Sequence, residues 1–225
     1  MIEVDHKRGY IDKRGNFVIS PQFDMAIPFS EGFAFVNAAD KKGYVDITGK
    51  MISDLQLDEG AESFSEGMAA IEIGKKWGYI DKSGKLAIPA KYDYAYSFSD
   101  GLAAVFQSQH YGFIDKTGEM VIRPRYSRAL GRDGLKFSEG LTVVQIGDKC
   151  GFIDKGDRVT VLTDFTPLTL ISFFSQGLAQ FRPADSDKSG FIDRSETVVI
   201  APRFDYATDF SMPDESSSLY KCYTH

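Results

Sequence analysis

The chain has 225 residues, 43% of them hydrophobic and 26% charged, ordinary proportions for a soluble globular protein; its formal net charge of −6 disfavours a nucleic-acid reader that relies on phosphate neutralisation. The 18 Phe and 11 Tyr suit pleated strands better than helices, and two cysteines, Cys150 and Cys222, are too few for a disulfide framework, which fits a reducing compartment. No apolar run follows a basic start and none is long enough to span a bilayer, so the expected location is cytoplasmic, with no membrane insertion.

The chain opens on Ile2-Glu3-Val4-Asp5-His6-Lys7-Arg8-Gly9, which aligns without a gap on Ile71 to Gly78. Residues 1–8 therefore predict an extra N-terminal strand, of the kind that elsewhere ends a repeat. From Gly9 onward a Gly-aromatic-aliphatic-Asp pattern recurs as Gly9-Tyr10-Ile11-Asp12, Gly43-Tyr44-Val45-Asp46, Gly78-Tyr79-Ile80-Asp81, Gly112-Phe113-Ile114-Asp115, Gly151-Phe152-Ile153-Asp154 and Gly190-Phe191-Ile192-Asp193. Its glycines are separated by 34, 35, 34, 39 and 39 residues, the range of solenoids, propellers and arrays. A second signature keeps step: Phe29-Ser30-Glu31-Gly32, Phe64-Ser65-Glu66-Gly67, Phe98-Ser99-Asp100-Gly101, Phe137-Ser138-Glu139-Gly140, Phe174-Ser175-Gln176-Gly177, then Phe210-Ser211.

In the third unit, Gly78 to Asp81 and Lys85 to Ile88 are short apolar runs joined by Asp81-Lys82-Ser83-Gly84. Asp can cap such a turn and Gly supplies its positive φ, so the stretch predicts a β-hairpin, and Leu102 to Phe106 predicts a third strand. The second unit lacks the Ile-Pro signal found at Ile88-Pro89, and the fifth, from Gly156 to Phe165, lacks the turn glycine spacing. Extra residues at Leu130 to Lys136 and Pro183 to Ser189 lengthen two periods and predict loops. The expected fold is all-β: a single domain over residues 1–225, built of six three-stranded antiparallel repeats starting near 9, 43, 78, 112, 151 and 190. A solenoid-like array is preferred over a closed six-bladed propeller, because propeller blades usually take four strands in ~40 or more residues. Residues 212–225 read as a C-terminal tail or last strand.

Trp77-Gly78 followed by Tyr79-Ile80-Asp81-Lys82, Gly84, Ile88-Pro89, Tyr92-Asp93, Phe98-Ser99, Gly101 and Leu102-Ala103 resembles the WG (KWG) β-repeat family over nearly the whole chain. The family's Trp stands only at Trp77 and is replaced by Arg8, Lys42, Tyr111, Cys150 and Ser189, so this position is expected to be half exposed. The resemblance implies an interaction scaffold rather than an enzyme.

Each repeated Asp is followed by Lys, Ile or Arg rather than a second acid, which favours turn capping over calcium binding. His6, His110 and His225 lie far apart, with no cysteine or acid at ligand spacing, so neither zinc nor another metal or cofactor is expected. Glu31, Glu66, Asp100 and Glu139 read as solvated turn residues before general acids. The recurrent aromatics read as stacked core, with an exposed ladder for sugar rings as the alternative. One basic cluster breaks the acidic background: Arg123, Arg125, Arg128, Arg132 and Lys136, a candidate partner-binding segment suited to carboxylate or phosphate. The function expected is a non-catalytic scaffold for a protein or peptide partner. The alternatives are a carbohydrate or cell-surface ligand-binding module and an enzyme with its site at the irregular fifth repeat, around Asp157 to Asp164.

Overall fold

The computed structural model describes residues 1–38, 41–53, 55, 57–58, 60–126, 135–146, 149–162, 170–183, 186–195 and 197–207. All regular structure in them is strand, arranged in six separate sheets. The first is β1 (Ile2–Val4), β2 (Lys7–Ile11) and β3 (Phe17–Phe23); the second β4 (Met25–Ala26), β5 (Phe33–Ala38) and β6 (Lys41–Asp46); the third β7 (Met68–Ile73), β8 (Lys76–Asp81) and β9 (Leu86–Tyr92). The fourth is β10 (Tyr94–Ala95), β11 (Ala103–Gln107), β12 (His110–Ile114) and β13 (Met120–Tyr126). The fifth is β14 (Leu141–Ile146), β15 (Lys149–Asp154) and β16 (Val159–Leu162), and the sixth β17 (Leu170–Ile171), β18 (Leu178–Arg182), β19 (Ser189–Asp193) and β20 (Val198–Phe204). Within each sheet the strands follow chain order and pair antiparallel.

The sequence repeats and the sheets are out of phase. The strand after each Phe-Ser-x-Gly turn pairs with the Gly-aromatic strand of the following repeat, as Met68–Ile73 does with Lys76–Asp81, so a unit counted from its Gly straddles two sheets. At the N-terminus β1 pairs with β2 in the place that β7 takes beside β8.

Turn chemistry explains the hairpins. In the third sheet the Gly84 amide donates to the Asp81 carbonyl at 2.9 Å, with Gly84 at φ 78°, a conformation that Cβ-bearing residues resist. The fifth unit has Asp157 at that position, at φ 64°. A second glycine role is close approach. Opposite Gly78 the outer strand bulges between Ile88 and Tyr92, and a Cβ on Gly78 would lie 2.5 Å from the Ile88 carbonyl oxygen. Gly9, Gly112 and Gly190 meet Pro21, Pro124 and Pro202 in the same way; proline suits a bulge in an edge strand because it has no N–H to leave unpaired. The second repeat lacks the Ile-Pro signal, and after β6, among the described residues, an isolated bridge of Val45 with Met51 stands where the others have an outer strand.

The structure divides into two compact units, Met1–Ser108 with Asp115–Glu119, and Gln109–Ile114 with Met120–His225. Within the first unit the core lies between successive sheets. Ala34, Val36 and Val45 pack with Tyr10, Ile19 and Phe23 of the first sheet, whereas the alternate residues Phe35 and Tyr44 pack with Phe64, which precedes β7, and with Ala69 and Ile80 of the third. Period-two alternation thus buries both faces of the second sheet. Within the second unit, Val143 and Phe152 of the fifth sheet pack with Ala179, Phe181 and Ile192 of the sixth.

Candidate functional site

The repeated residues account for one another. Five of the six aromatics of the Gly motif meet the Phe of the following Phe-Ser-x-Gly motif: Tyr10 with Phe29 at 4.5 Å, Tyr44 with Phe64 at 5.0 Å, Tyr79 with Phe98 at 4.9 Å, Phe113 with Phe137 at 5.0 Å and Phe152 with Phe174 at 4.7 Å between ring centroids; Phe210, after Phe191, lies outside the described residues. The core expectation is met, but as pairs between the two motifs rather than two ladders of like rings. Where the first ring is Tyr, its hydroxyl donates to a backbone carbonyl near the next turn: Tyr10 to Ile27 at 2.7 Å, Tyr44 to Glu62, and Tyr79 to Tyr96 at 2.7 Å. Burial pushes the Tyr10 hydroxyl up to about 12, and Tyr44 and Tyr79 are raised further.

The six aspartates cap their own turns. Asp81 Oδ1 accepts the amides of Ser83 and Lys85 at 2.8 and 3.2 Å, and Asp12, Asp46, Asp115, Asp154 and Asp193 accept the equivalent pair. Turn hydrogen bonds hold all six carboxyls below their ordinary range, led by the Ser83 hydroxyl for Asp81 and the Asn16 amide for Asp12.

The Phe-Ser-x-Gly acids are not the merely solvated residues expected. Ser30 Oγ donates to the Phe64 carbonyl at 2.6 Å, Ser65 Oγ to that of Phe98 at 2.7 Å and Ser138 Oγ to that of Phe174 at 2.7 Å. Glu31 accepts the amides of Glu66 and Gly67 at 2.7 and 2.9 Å, Glu66 that of Gly101 at 3.0 Å, and Glu139 those of Gln176 and Gly177. A cation from a further Asp turn caps each acid: Lys82 on Glu31, Lys116 on Glu66 and Arg194 on Glu139. Burial pulls Glu31 upward, but the Gly67 amide and Lys82 outweigh it; Arg194 leads in lowering Glu139. Glu31, Glu66 and Glu139 occupy left-handed backbone, φ 52–53°, in these two-residue turns, and their side chains tie one turn to the next.

The non-repeated chemistry lies elsewhere. Glu62 stands two residues before Phe64, where the other repeats place Ile27, Tyr96, Leu135, Ser172 and Thr208, none of them charged. It is half-buried, and burial raises its carboxyl against the lowering effect of the Tyr94 hydroxyl, which donates to Oε1 at 3.3 Å. Tyr94 lies 4.6 Å from Trp77 and 4.9 Å from Tyr96 between ring centroids. Trp77 is only 6% exposed, so the half-exposed expectation fails there. The irregular second repeat runs across its ring: a Cβ on Gly60 would fall 2.3 Å from the indole. Arg8, Lys42 and Tyr111 are half-buried as expected, whereas Ser189 is buried. Tyr92, paired opposite Trp77, is buried with its hydroxyl unpartnered. The signals in the sequence were an acid where no other repeat has a charge and the run Tyr92, Tyr94, Tyr96.

The arginine segment is divided. Arg123 and Arg125 are exposed on β13, but Arg125 pairs with Asp157 at 2.8 Å and bonds the Tyr126 hydroxyl at 3.0 Å, while that hydroxyl donates to Asp157 at 2.6 Å. Lys136 lies over the Phe173 ring, 4.8 Å from its centroid. Arg128 and Arg132 lie outside the described residues, as do most of the fifth repeat's irregular stretch, Cys222 and His225. Among the described residues no group of three His, Cys, Asp or Glu side chains is placed to hold a metal, and no helix is long and apolar enough to cross a membrane.

The family described as WG containing repeat matches residues 9–41, 43–77, 77–108, 111–150 and 190–211, leaving out the whole of the irregular fifth unit, 151–189. No curated protein matches the chain. Among solved structures, the complete loop 6CD form of Kluyveromyces lactis Hsv2 is 12% identical, with a TM-score of 0.51 over 78% of this chain and 62% of that one. A streptogramin B lyase is 20% identical, with a TM-score of 0.48 over 86% and 74%. BamB from Moraxella catarrhalis is 11% identical, with a TM-score of 0.47 over 75% and 60%. The likeness to Hsv2 is one of fold, β-propeller-like, and agrees with the propeller alternative.

Proposed function

The chain belongs to the WG containing repeat family, and on that premise we propose that it is a non-catalytic scaffold that binds a protein or peptide partner. The observation that carries this reading is the engagement of the repeated carboxylates: Asp12, Asp46, Asp81, Asp115, Asp154 and Asp193 in their turns, and Glu31, Glu66 and Glu139 in the neighbouring turn. These repeated carboxylates, which could serve as general acids or bases, are structural instead. The sugar-ladder reading loses its support because Tyr44, Tyr79, Phe64, Phe98, Phe137 and Phe174 are buried. At the fifth repeat, Asp157 is held by Arg125 and Tyr126, which weakens the case for an acid free to do chemistry there.

The test is capture of partners from the source cell, followed by calorimetry of the purified pair. A saturable isotherm with both chains chemically unchanged is expected, whereas turnover of a small molecule by the purified chain would overturn the reading. A second contact, to an anionic patch, is favoured by exposed Arg123, which has no hydrogen bond or ion pair among the described residues. Arg123→Glu should weaken binding and reduce its salt dependence if that contact is used.

A further inference from the structure

We propose that Glu62 with the rings of Tyr94 and Tyr96, backed by Trp77, forms a receptor for an arginine side chain presented by a partner protein. This deepens the binding-module reading and rests on it.

The first observation is an uncompensated acid. Glu31, Glu66 and Glu139 each meet a lysine or arginine, but Glu62 has no cation among the described residues and receives only the 3.3 Å hydrogen bond from Tyr94. A half-buried carboxylate without a counter-charge is costly to keep, and a cation brought by a partner would relieve that cost. The raised Glu62 carboxyl agrees.

The second observation is the aromatic wall. Tyr94 and Tyr96, two apart on one chain segment, are both half-exposed, and Trp77 fixes Tyr94 from behind. Ring faces attract cations, and a planar guanidinium stacks on tyrosine while forking onto a carboxylate, which an ammonium point charge cannot do. The third is Tyr92, whose buried, unpartnered hydroxyl lies with the Glu62 carboxylate close enough to Tyr79 that both reinforce the effect of burial in raising Tyr79. An unsatisfied buried polar atom marks a place where a ligand would complete the hydrogen bonding. All these residues belong to the compact unit containing Met1–Ser108, and the net charge of −6 favours a basic partner.

Trp77 is the chain's single tryptophan and touches Tyr94, so its fluorescence reports on the patch. The full chain would be titrated with acetyl-Gly-Gly-Arg-Gly-Gly-amide, with the same peptide carrying neutral citrulline, and with choline. A saturable change with the arginine peptide is expected, at least ~10-fold weaker with citrulline and with choline, and weakened ~10-fold by Glu62→Gln in a chain whose melting is not lowered. Affinity should rise with pH as Glu62 ionises, then level off. Equal binding of citrulline, tighter binding of choline, or an unchanged affinity in Glu62→Gln would overturn the proposal. Tyr94→Phe, which keeps the ring, provides a second variant: it should retain most of the binding, and its complete loss would contradict a receptor built on ring faces. A captured partner that binds the Glu62→Gln chain unchanged would remove this receptor while leaving the scaffold reading intact.

Discussion

Phe98 shows what one repeated residue contributes: it is 1% exposed, its ring meets Tyr79, and its carbonyl accepts the Ser65 hydroxyl. Phe98→Ala should therefore lower stability by about 3–5 kcal/mol, as large-to-small core changes do, read as a shift of the denaturant midpoint. The aspartates act at the same scale through acidity. A carboxyl held below its unfolded pKa stabilises the fold fully above that value, near pH 4, and the contribution is lost as pH falls through the lowered folded value. Unfolding at pH 7 and at pH 3 should show a smaller loss for Asp81→Asn than for the parent chain, since the variant has no carboxylate to protonate there. Glu62 has the opposite sign. Its raised carboxyl favours the protonated folded state, so stability falls as pH rises through the folded pKa, and Glu62→Gln should be neutral at low pH and stabilising at pH 7.

At the scale of the element, the outer strand depends on what lies opposite it. Gly78→Ala would set a methyl 2.5 Å from the Ile88 carbonyl, backbone that cannot move without breaking the β8–β9 ladder. A cost of about 1–3 kcal/mol or more is expected, with amide exchange quickened in Leu86–Tyr92 ahead of Met68–Ile73. The hairpins and turns were legible in the sequence, because Asp and Gly act locally within four residues. The phase of the sheets was not: pairing of the strand after Phe-Ser-x-Gly with the next repeat's Gly strand depends on a hairpin that crosses the repeat boundary. Nor was the role of Glu31, since its amide partners lie 35 and 36 residues away and a spacing cannot tell a solvated turn acid from a linking one.

At the scale of the molecule, repetition and individuality separate. Residues that recur hold sheet to sheet, and the departures change the surface: in the irregular second repeat Gly60 lies against Trp77, and Glu62 stands where no other repeat has a charge. The arginine segment stood out in sequence because charge is visible there; its compensation by Asp157, 32 residues on, became visible only in the fold. The central claim is that repeated residues stabilise while the unrepeated patch recognises. Glu66 and Glu62 lie four residues apart on opposite sides of that division. The direct measurement is melting and calorimetric binding of the reconstituted partner for Glu66→Gln and Glu62→Gln. Glu66→Gln should cost roughly 1 kcal/mol of stability and leave the isotherm unchanged, while Glu62→Gln should weaken binding without lowering the melting temperature. Loss of binding in Glu66→Gln at full stability, or unchanged binding in Glu62→Gln, would contradict it.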